Sequence, residues 1–358
     1  MSTKTQAGTW ALAALSFALT AGCGQWDFSG NGGGGGGIDY DGGAPLTTPP
    51  LTGDITVIAS DTNVSSALAL SGTTLYFLDR GAAITDSVQV VDLTSGGVST
   101  LFLASPDPTA ALEDLAVDGS NVYVTQVVVT VGTGGYASRL TAIPRNGGPV
   151  ATLATATEPL FNVPVAGDVY YAGESSLFQL SPNGGKPATV GGAVNTLTSV
   201  GNTAYWAQAE ISGTPLSNAQ IFTASGSASE PSLFATFEDG AYSLIAGNST
   251  SLFWLTTPSS GSYIVQAALE GGTPTLFTPV SGTVLGLAAD ENNVYVLSTT
   301  PGTTTAELDE YSISDGGYTT LASGIQKPSE GTPEHALALD GNNNVYFATV
   351  SGVMSVPE

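Results

Sequence analysis

The chain has 358 residues, 42% of them hydrophobic, which is enough to fill a sizeable core, and its 46 glycines and 20 prolines suit a protein of many tight turns. Six basic residues stand against 30 acidic ones, giving a formal net charge of −24 at pH 7. Lys4, Arg80, Arg139, Arg145, Lys186 and Lys327 are scattered singly, so the surface repels phosphate backbones and anionic headgroups and nucleic acid is excluded as a partner.

Met1 to Cys23 reads as a secretory signal. Lys4 and the free amine supply a positive start, and Trp10 to Thr20 is an apolar run too short to span a bilayer. Leu19-Thr20-Ala21-Gly22-Cys23 resembles the lipobox of bacterial lipoproteins, with Thr20 where the family places Leu. The resemblance implies cleavage after residue 22 and a lipid on the Cys23 thiol. With Gly24 rather than Asp following, it also implies residence in the bacterial cell envelope as an outer-membrane lipoprotein held to the membrane by that anchor. Ordinary signal-peptide cleavage with a free Cys23 thiol is the alternative. Cys23 is the only cysteine, so no disulfide forms within a monomer. Residues 23–53, with six consecutive glycines from Gly32 to Gly37 and Pro49-Pro50, read as a flexible tether.

Residues 54–358 are repetitive. An apolar-aromatic triplet recurs as Leu75-Tyr76-Phe77, Val122-Tyr123-Val124, Val169-Tyr170-Tyr171, Ala204-Tyr205-Trp206, Leu252-Phe253-Trp254, Val294-Tyr295-Val296 and Val345-Tyr346-Phe347. The mean spacing of about 45 residues, with four strands per repeat, is that of a propeller blade. The sixth repeat shows the unit most clearly. Leu285 to Ala288 and Val294 to Leu297 are strands joined at Asn292-Asn293. Leu308 to Ile313 alternates between faces, and Tyr318 to Ala322 returns as an outer strand after Asp315-Gly316-Gly317. Equivalent turns stand at Ser95-Gly96-Gly97, Asn146-Gly147-Gly148, Asn183-Gly184-Gly185 and Glu270-Gly271-Gly272, with a degenerate one at Ser225-Gly226-Ser227. The aromatics are expected to pack between blades.

The seventh repeat stops at a third strand, Gly352 to Pro357, while Asp54 to Ser60 has the character of a fourth strand with no repeat of its own. The expectation is an all-β, seven-bladed β-propeller whose last blade is closed by an N-terminal outer strand, hiding two edges. The final segment, with Thr319 to Gly324, Leu337-Ala338-Leu339-Asp340, Asn344-Val345-Tyr346-Phe347 and Gly352 to Pro357, resembles a repeat found in secreted propellers of myxobacteria and relatives, of the YWTD, NHL and TolB-like type, and the resemblance covers Asp54 to Glu358. It departs from that pattern where Phe347 and Val124 replace Trp, and where the acidic residue after it is missing except at Asp79. The resemblance implies fold far more than activity.

Loops leading into the innermost strands meet at one mouth of a propeller, and there the repeat alignment places Glu113-Asp114, Glu238-Asp239 and Glu334-His335. Glu113, Asp114, Glu238, Asp239 and Glu334 are the candidate ligands for Ca²⁺ or Mg²⁺, against the reading of a solvated acidic rim with no cofactor. His335 is the only histidine, so imidazole catalysis would have to use it, and Glu334-His335 resembles the histidine with acidic neighbours of a seven-bladed streptogramin lyase. No nucleophile elbow, zinc motif or phosphate loop is present. The favoured reading is a monomeric, non-catalytic binding or scaffold module that holds a protein, peptide or glycan on one propeller face. The alternative is a divalent-metal-assisted lyase or hydrolase using His335 and Glu334. Sugar recognition through Tyr136, Tyr242, Tyr263 and Tyr318 is a third reading.

Overall fold

The computed structural model describes residues 51–358 apart from 61–63, 81–84, 105–109, 131–134, 162–163, 209–218, 227–229, 238–241, 259–260, 300–302, 304, 327–335 and 342–343. They contain no helix and form seven small antiparallel sheets. In chain order, β1 is Thr56–Ser60 and belongs to the last sheet. Blade 1 is β2 Val64–Ser71, β3 Thr74–Arg80, β4 Asp86–Asp92 and β5 Gly97–Leu103. Blade 2 is β6 Ala110–Val117, β7 Asn121–Thr130, β9 Ser138–Pro144 and β10 Ala151–Ala156, with the short β8 Gly135–Tyr136 on β7. Blade 3 is β11 Val165–Ala166, β12 Asp168–Ala172, β13 Leu177–Leu180 and β14 Ala188–Gly191. Blade 4 is β15 Val194–Val200, β16 Thr203–Gln208, β17 Ala219–Ser225 and β18 Ser232–Phe237. Blade 5 is β19 Tyr242–Gly247, β20 Ser251–Thr256, β21 Ser262–Ala268 and β22 Thr275–Val280. Blade 6 is β23 Thr283–Ala289, β24 Asn293–Thr299, β25 Thr305–Ser312 and β26 Tyr318–Gln326. Blade 7 is β27 Leu337–Asp340, β28 Asn344–Thr349, β29 Gly352–Pro357 and β1.

The core is divided among the seams. Apolar residues alternate along each strand, so one set faces the preceding blade and the other the next. Seven buried clusters result, each drawn from two consecutive blades. Leu244, Phe253, Val294 and Tyr311 join blades 5 and 6, and Tyr295, Leu308, Val345 and Phe347 join blades 6 and 7. Leu68, Phe77, Tyr346 and Ala348 join blade 7 to blade 1 and close the ring. The seven recurring aromatic triplets lie in these seams, with Tyr123, Tyr170, Trp206, Trp254 and Tyr295 fully buried. The structure is a seven-bladed β-propeller.

Hairpin glycines carry the expected conformation where the turns demand it. Gly147 and Gly316 sit at φ 78° and 70°, a region closed to most side chains. Every pairing of a third strand with its outermost neighbour contains a register shift. An irregularity at that position twists the exposed edge of each blade away from a flat ladder.

Three blades also share a side-chain clamp at the hairpin after the innermost strand. Asp118 accepts the backbone N–H of Ser120 and Asn121 on Oδ1, and the Tyr123 hydroxyl donates to its Oδ2 at 2.7 Å. Asp290 with Tyr295, and Asp340 with Tyr346, repeat the phenol bond at 2.8 Å. Blade 5 carries Asn248 and Phe253 at these places, so the amide still caps the turn and the phenol is gone. Burial and the adjacent carboxylate push the Tyr123, Tyr295 and Tyr346 phenols well above their ordinary value.

The latch pairs Thr56 with Ser355, Val57 with Met354, Ala59 with Val353 and Ser60 with Gly352. Just before it, Thr52 exchanges backbone hydrogen bonds with Ser323 of blade 6, at 3.1 and 3.3 Å. Gly352 has φ 146°, and a Cβ there would run into the Ala59 carbonyl oxygen. Gly352→Ala therefore strikes the latch twice, by conformation and by collision, and is expected to lower stability by about 2–4 kcal/mol. Urea unfolding followed by tryptophan fluorescence measures this, with Gly341→Ala, which meets nothing within 4 Å, as the control.

Candidate functional site

Of the six residues proposed for the acidic mouth, the structure describes Glu113 and Asp114, whereas Glu238, Asp239, Glu334 and His335 lie outside the described residues, as does Cys23. Glu113 and Asp114 are not in a loop. The innermost strand of blade 2 begins at Ala110 and carries both of them. Its register passes from Leu112 opposite Gln126 to Asp114 opposite Thr125, so Glu113 is the extra residue of a bulge. The same strand position is irregular in blades 1, 4, 5 and 6.

The bulge turns Glu113 towards blade 1, where its carboxylate lies 3.6 Å from the Arg80 guanidinium at the end of β3. Arg80 is paired across the ladder with Asp86 at the start of β4. Asp86 in turn reaches over the seam to accept the backbone N–H of Leu112 at 2.7 Å. Asp114 is fully buried and accepts the N–H of Leu115. Beside this group Arg139 donates to the buried Gln126. Burial pushes the Glu113 carboxyl up, with Arg80 opposing and Asp86 and Asp114 reinforcing, and burial pushes Asp86 up as well. A single guanidinium thus serves two half-buried carboxyls and ties blade 1 to blade 2. Among the described residues no set of three or more His, Cys, Asp or Glu side chains is placed to hold a metal ion.

A second acidic group, unforeseen from the sequence, lies on the opposite face at the seam of blades 6 and 7. Asp290, Glu310 and Glu358 surround the Tyr295 hydroxyl and the Asn293 amide, with Asp340 nearby. Burial first, and then neighbouring carboxylates, push Glu310 and Glu358 up. The lower face also holds Arg145, whose guanidinium donates to the Tyr76 hydroxyl at 2.7 Å, Ser71 Oγ at 2.9 Å and the Asp118 carbonyl at 3.1 Å. It stands 5.5 Å from the Tyr76 ring, pinning blade 2 to blade 1. Of the candidate sugar-stacking tyrosines, Tyr136 and Tyr263 are half-buried, Tyr318 is 67% exposed, and the Tyr242 side chain lies outside the description.

No protein-family model matches the chain, and no curated protein matches it. Solved structures do. The chain is similar to a prolyl endopeptidase at 12% identity and a TM-score of 0.55, over 84% of this chain and 51% of that one. It is similar to an uncharacterized protein of Listeria monocytogenes at 9% identity and a TM-score of 0.51, over 81% and 90% of the two chains. TolB from Acinetobacter baumannii matches at 11% identity and a TM-score of 0.43, over 86% and 79%. At these identities the likeness is one of fold. The chain spans about half the length, or less, of the peptidases it matches.

Two outcomes follow from the carboxyl groups. Arg80→Met removes the cation shared by Asp86 and Glu113. It is expected to cost about 1–2 kcal/mol near neutral pH, where both acids must ionise without it, and less at about pH 4, measured by urea unfolding at each pH. Glu310 and Glu358 have raised folded-state pKa values, so the folded state holds their protons more tightly. The stability they contribute is present at low pH and is lost as pH rises through those values. Glu358→Gln and Glu310→Gln should therefore raise the melting temperature near neutral pH and leave it unchanged at about pH 3, where the carboxyls are already protonated.

Proposed function

We propose that the protein is a non-catalytic binding or scaffold module, displayed on a lipid anchor at Cys23 in a bacterial outer membrane and holding a protein, peptide or glycan on one face of its propeller. The observation that carries this reading is the use made of the acidic mouth where it is described. Glu113 is engaged by Arg80 across the blade 1 to blade 2 seam, and Asp114 is fully buried and accepts the Leu115 N–H of its own strand. Residues committed to packing are not free to ligate an ion or to move between substrate and solvent. The likeness to about half of several peptidase chains supports the same reading only as a matter of fold, since a propeller hosts many unrelated functions. The lipid anchor and envelope location rest on the resemblance of Leu19 to Cys23 to a lipobox.

The test is turnover by the purified full chain in detergent, with and without Mg²⁺ and Ca²⁺, on peptide, ester, lactone and glycoside panels. No turnover that depends on His335 is expected. An activity abolished in His335→Ala overturns the proposal in favour of the metal-assisted lyase or hydrolase.

A further inference from the structure

The lower end of blade 6 has a concavity beside the Asp290 and Tyr295 clamp, and it shares Asn293 and Glu310 with that clamp's surroundings. The hairpin between β25 and β26 is held by Gly316 N–H to the Ser312 carbonyl and Ser312 N–H to the Gly317 carbonyl, both at 2.8 Å. Asp315 accepts the Gly317 N–H at 3.1 Å. Beside it opens a cavity of about 300 Å³ lined by Asn293, Glu310, Ser312, Asp315, Tyr318 and Thr319. The register sets Asn293 opposite Ser312, and Tyr295, Glu310 and Thr319 in one row, so polar side chains of three strands share this face. Tyr318, which also borders the cavity, is opposite Tyr311 in the ladder. Its ring stacks on Tyr311 with centroids 5.5 Å apart and planes at 26°, yet the residue is 67% exposed, which leaves an aromatic surface fixed in place and open to solvent.

We propose that this hairpin binds a neutral oligosaccharide, one sugar unit in the cavity and the next against the Tyr318 ring, with the chain crossing the outer strand β26 between them. The inference rests on the binding reading above and gives it a ligand class. A sugar hydroxyl donates and accepts at once, so it can bond the remaining lone pairs of the Glu310 and Asp315 carboxylates and the Thr319 hydroxyl together, beside Asn293, which already bonds Tyr295, and Ser312, which already bonds Ser314. An ammonium or guanidinium only donates and cannot accept from the Thr319 hydroxyl that lines the same cavity. The cavity lies at the small end of the ~300–1,000 Å³ range of ligand sites, enough for one unit and not for a chain. The C–H face of a pyranose is the apolar surface that a rigid, half-exposed tyrosine accepts. A net charge of −24, with two carboxylates in the lining, turns polyanionic glycans away.

The experiment is calorimetric titration of the full chain in detergent with maltohexaose, cellohexaose, laminarihexaose, xylohexaose, mannohexaose and chitohexaose, with an oligogalacturonate and hexa-arginine as charged comparisons. At least one neutral hexaose should bind, more tightly than its monosaccharide. Tyr318→Ala should weaken it by about tenfold or more, while Tyr318→Phe, which keeps the ring, stays within about threefold. Because Tyr318 is exposed, unchanged melting of both variants will show that the fold is intact. The proposal is overturned if no neutral hexaose binds, if binding survives Tyr318→Ala, or if hexa-arginine or the oligogalacturonate is the ligand that depends on Tyr318. The two readings fail separately. Absence of saccharide binding beside saturable capture of an envelope protein removes the sugar site and leaves the binding module. Cleavage of the bound hexaose removes the non-catalytic reading and leaves the site.

Discussion

The structure depends on one constraint: each blade buries both of its faces against neighbours, so no blade has a finished core until the ring is shut. Tyr295 and Tyr311 show this within one sheet, the first packing toward blade 7 and the second toward blade 5. A sheet whose two sides are both apolar has no solvent face to fall back on, and the closing seam must be as well packed as the others. The latch meets that requirement by pairing β1 with β29, so strands from distant parts of the sequence finish one blade. Closure then frees the loops and hairpins at the two mouths to vary without disturbing the core.

Much of this was legible in the residues. The aromatic triplets gave the period and the seams, and the incomplete last repeat together with the orphan strand at Asp54 to Ser60 gave the closure. Periodicity could report these because burial forces the same side-chain class back to the same place in every blade. The acidic mouth was less legible. Alignment of repeats placed Glu113 and Asp114 in a loop, but a bulge shifts the register by one residue and carries them into β6. Alternation cannot reveal an inserted residue, and the partner that decides the role of Glu113, Arg80, lies in the preceding repeat. The Glu358 group escaped for a similar reason, since Asp290, Glu310 and Glu358 meet only when blades 6 and 7 are adjacent. One signal did stand in the sequence unread: an aspartate three residues before an asparagine and five before a tyrosine, as in Asp118, Asn121 and Tyr123, marks the clamp that recurs around Asp290.

Charge is distributed by the same logic. With few cations available, the structure places Arg80 and Arg145 on the two faces of a single seam, between blades 1 and 2, and each reaches across it. The seam of blades 6 and 7 has carboxylates and a phenol instead, and the Tyr295 hydroxyl holds Asp290 there. The irregular outer pairings matter for a chain with so many exposed edge strands and exposed apolar residues such as Val57, Leu233 and Leu276 on them. A bent edge does not template a second sheet, so these side chains can face solvent without inviting stacking.

The way the N-terminal segment joins the ring has a mechanical consequence. It touches blade 6 at Thr52 and Ser323 before it becomes the outer strand of blade 7. Tension arriving along that segment is therefore shared by two neighbouring sheets, and the two backbone bonds at Ser323 take up strain before the ladder beyond them does. The chain is clipped on before it is woven in, and a tug from that side has to undo the clip before it can start unravelling the toroid.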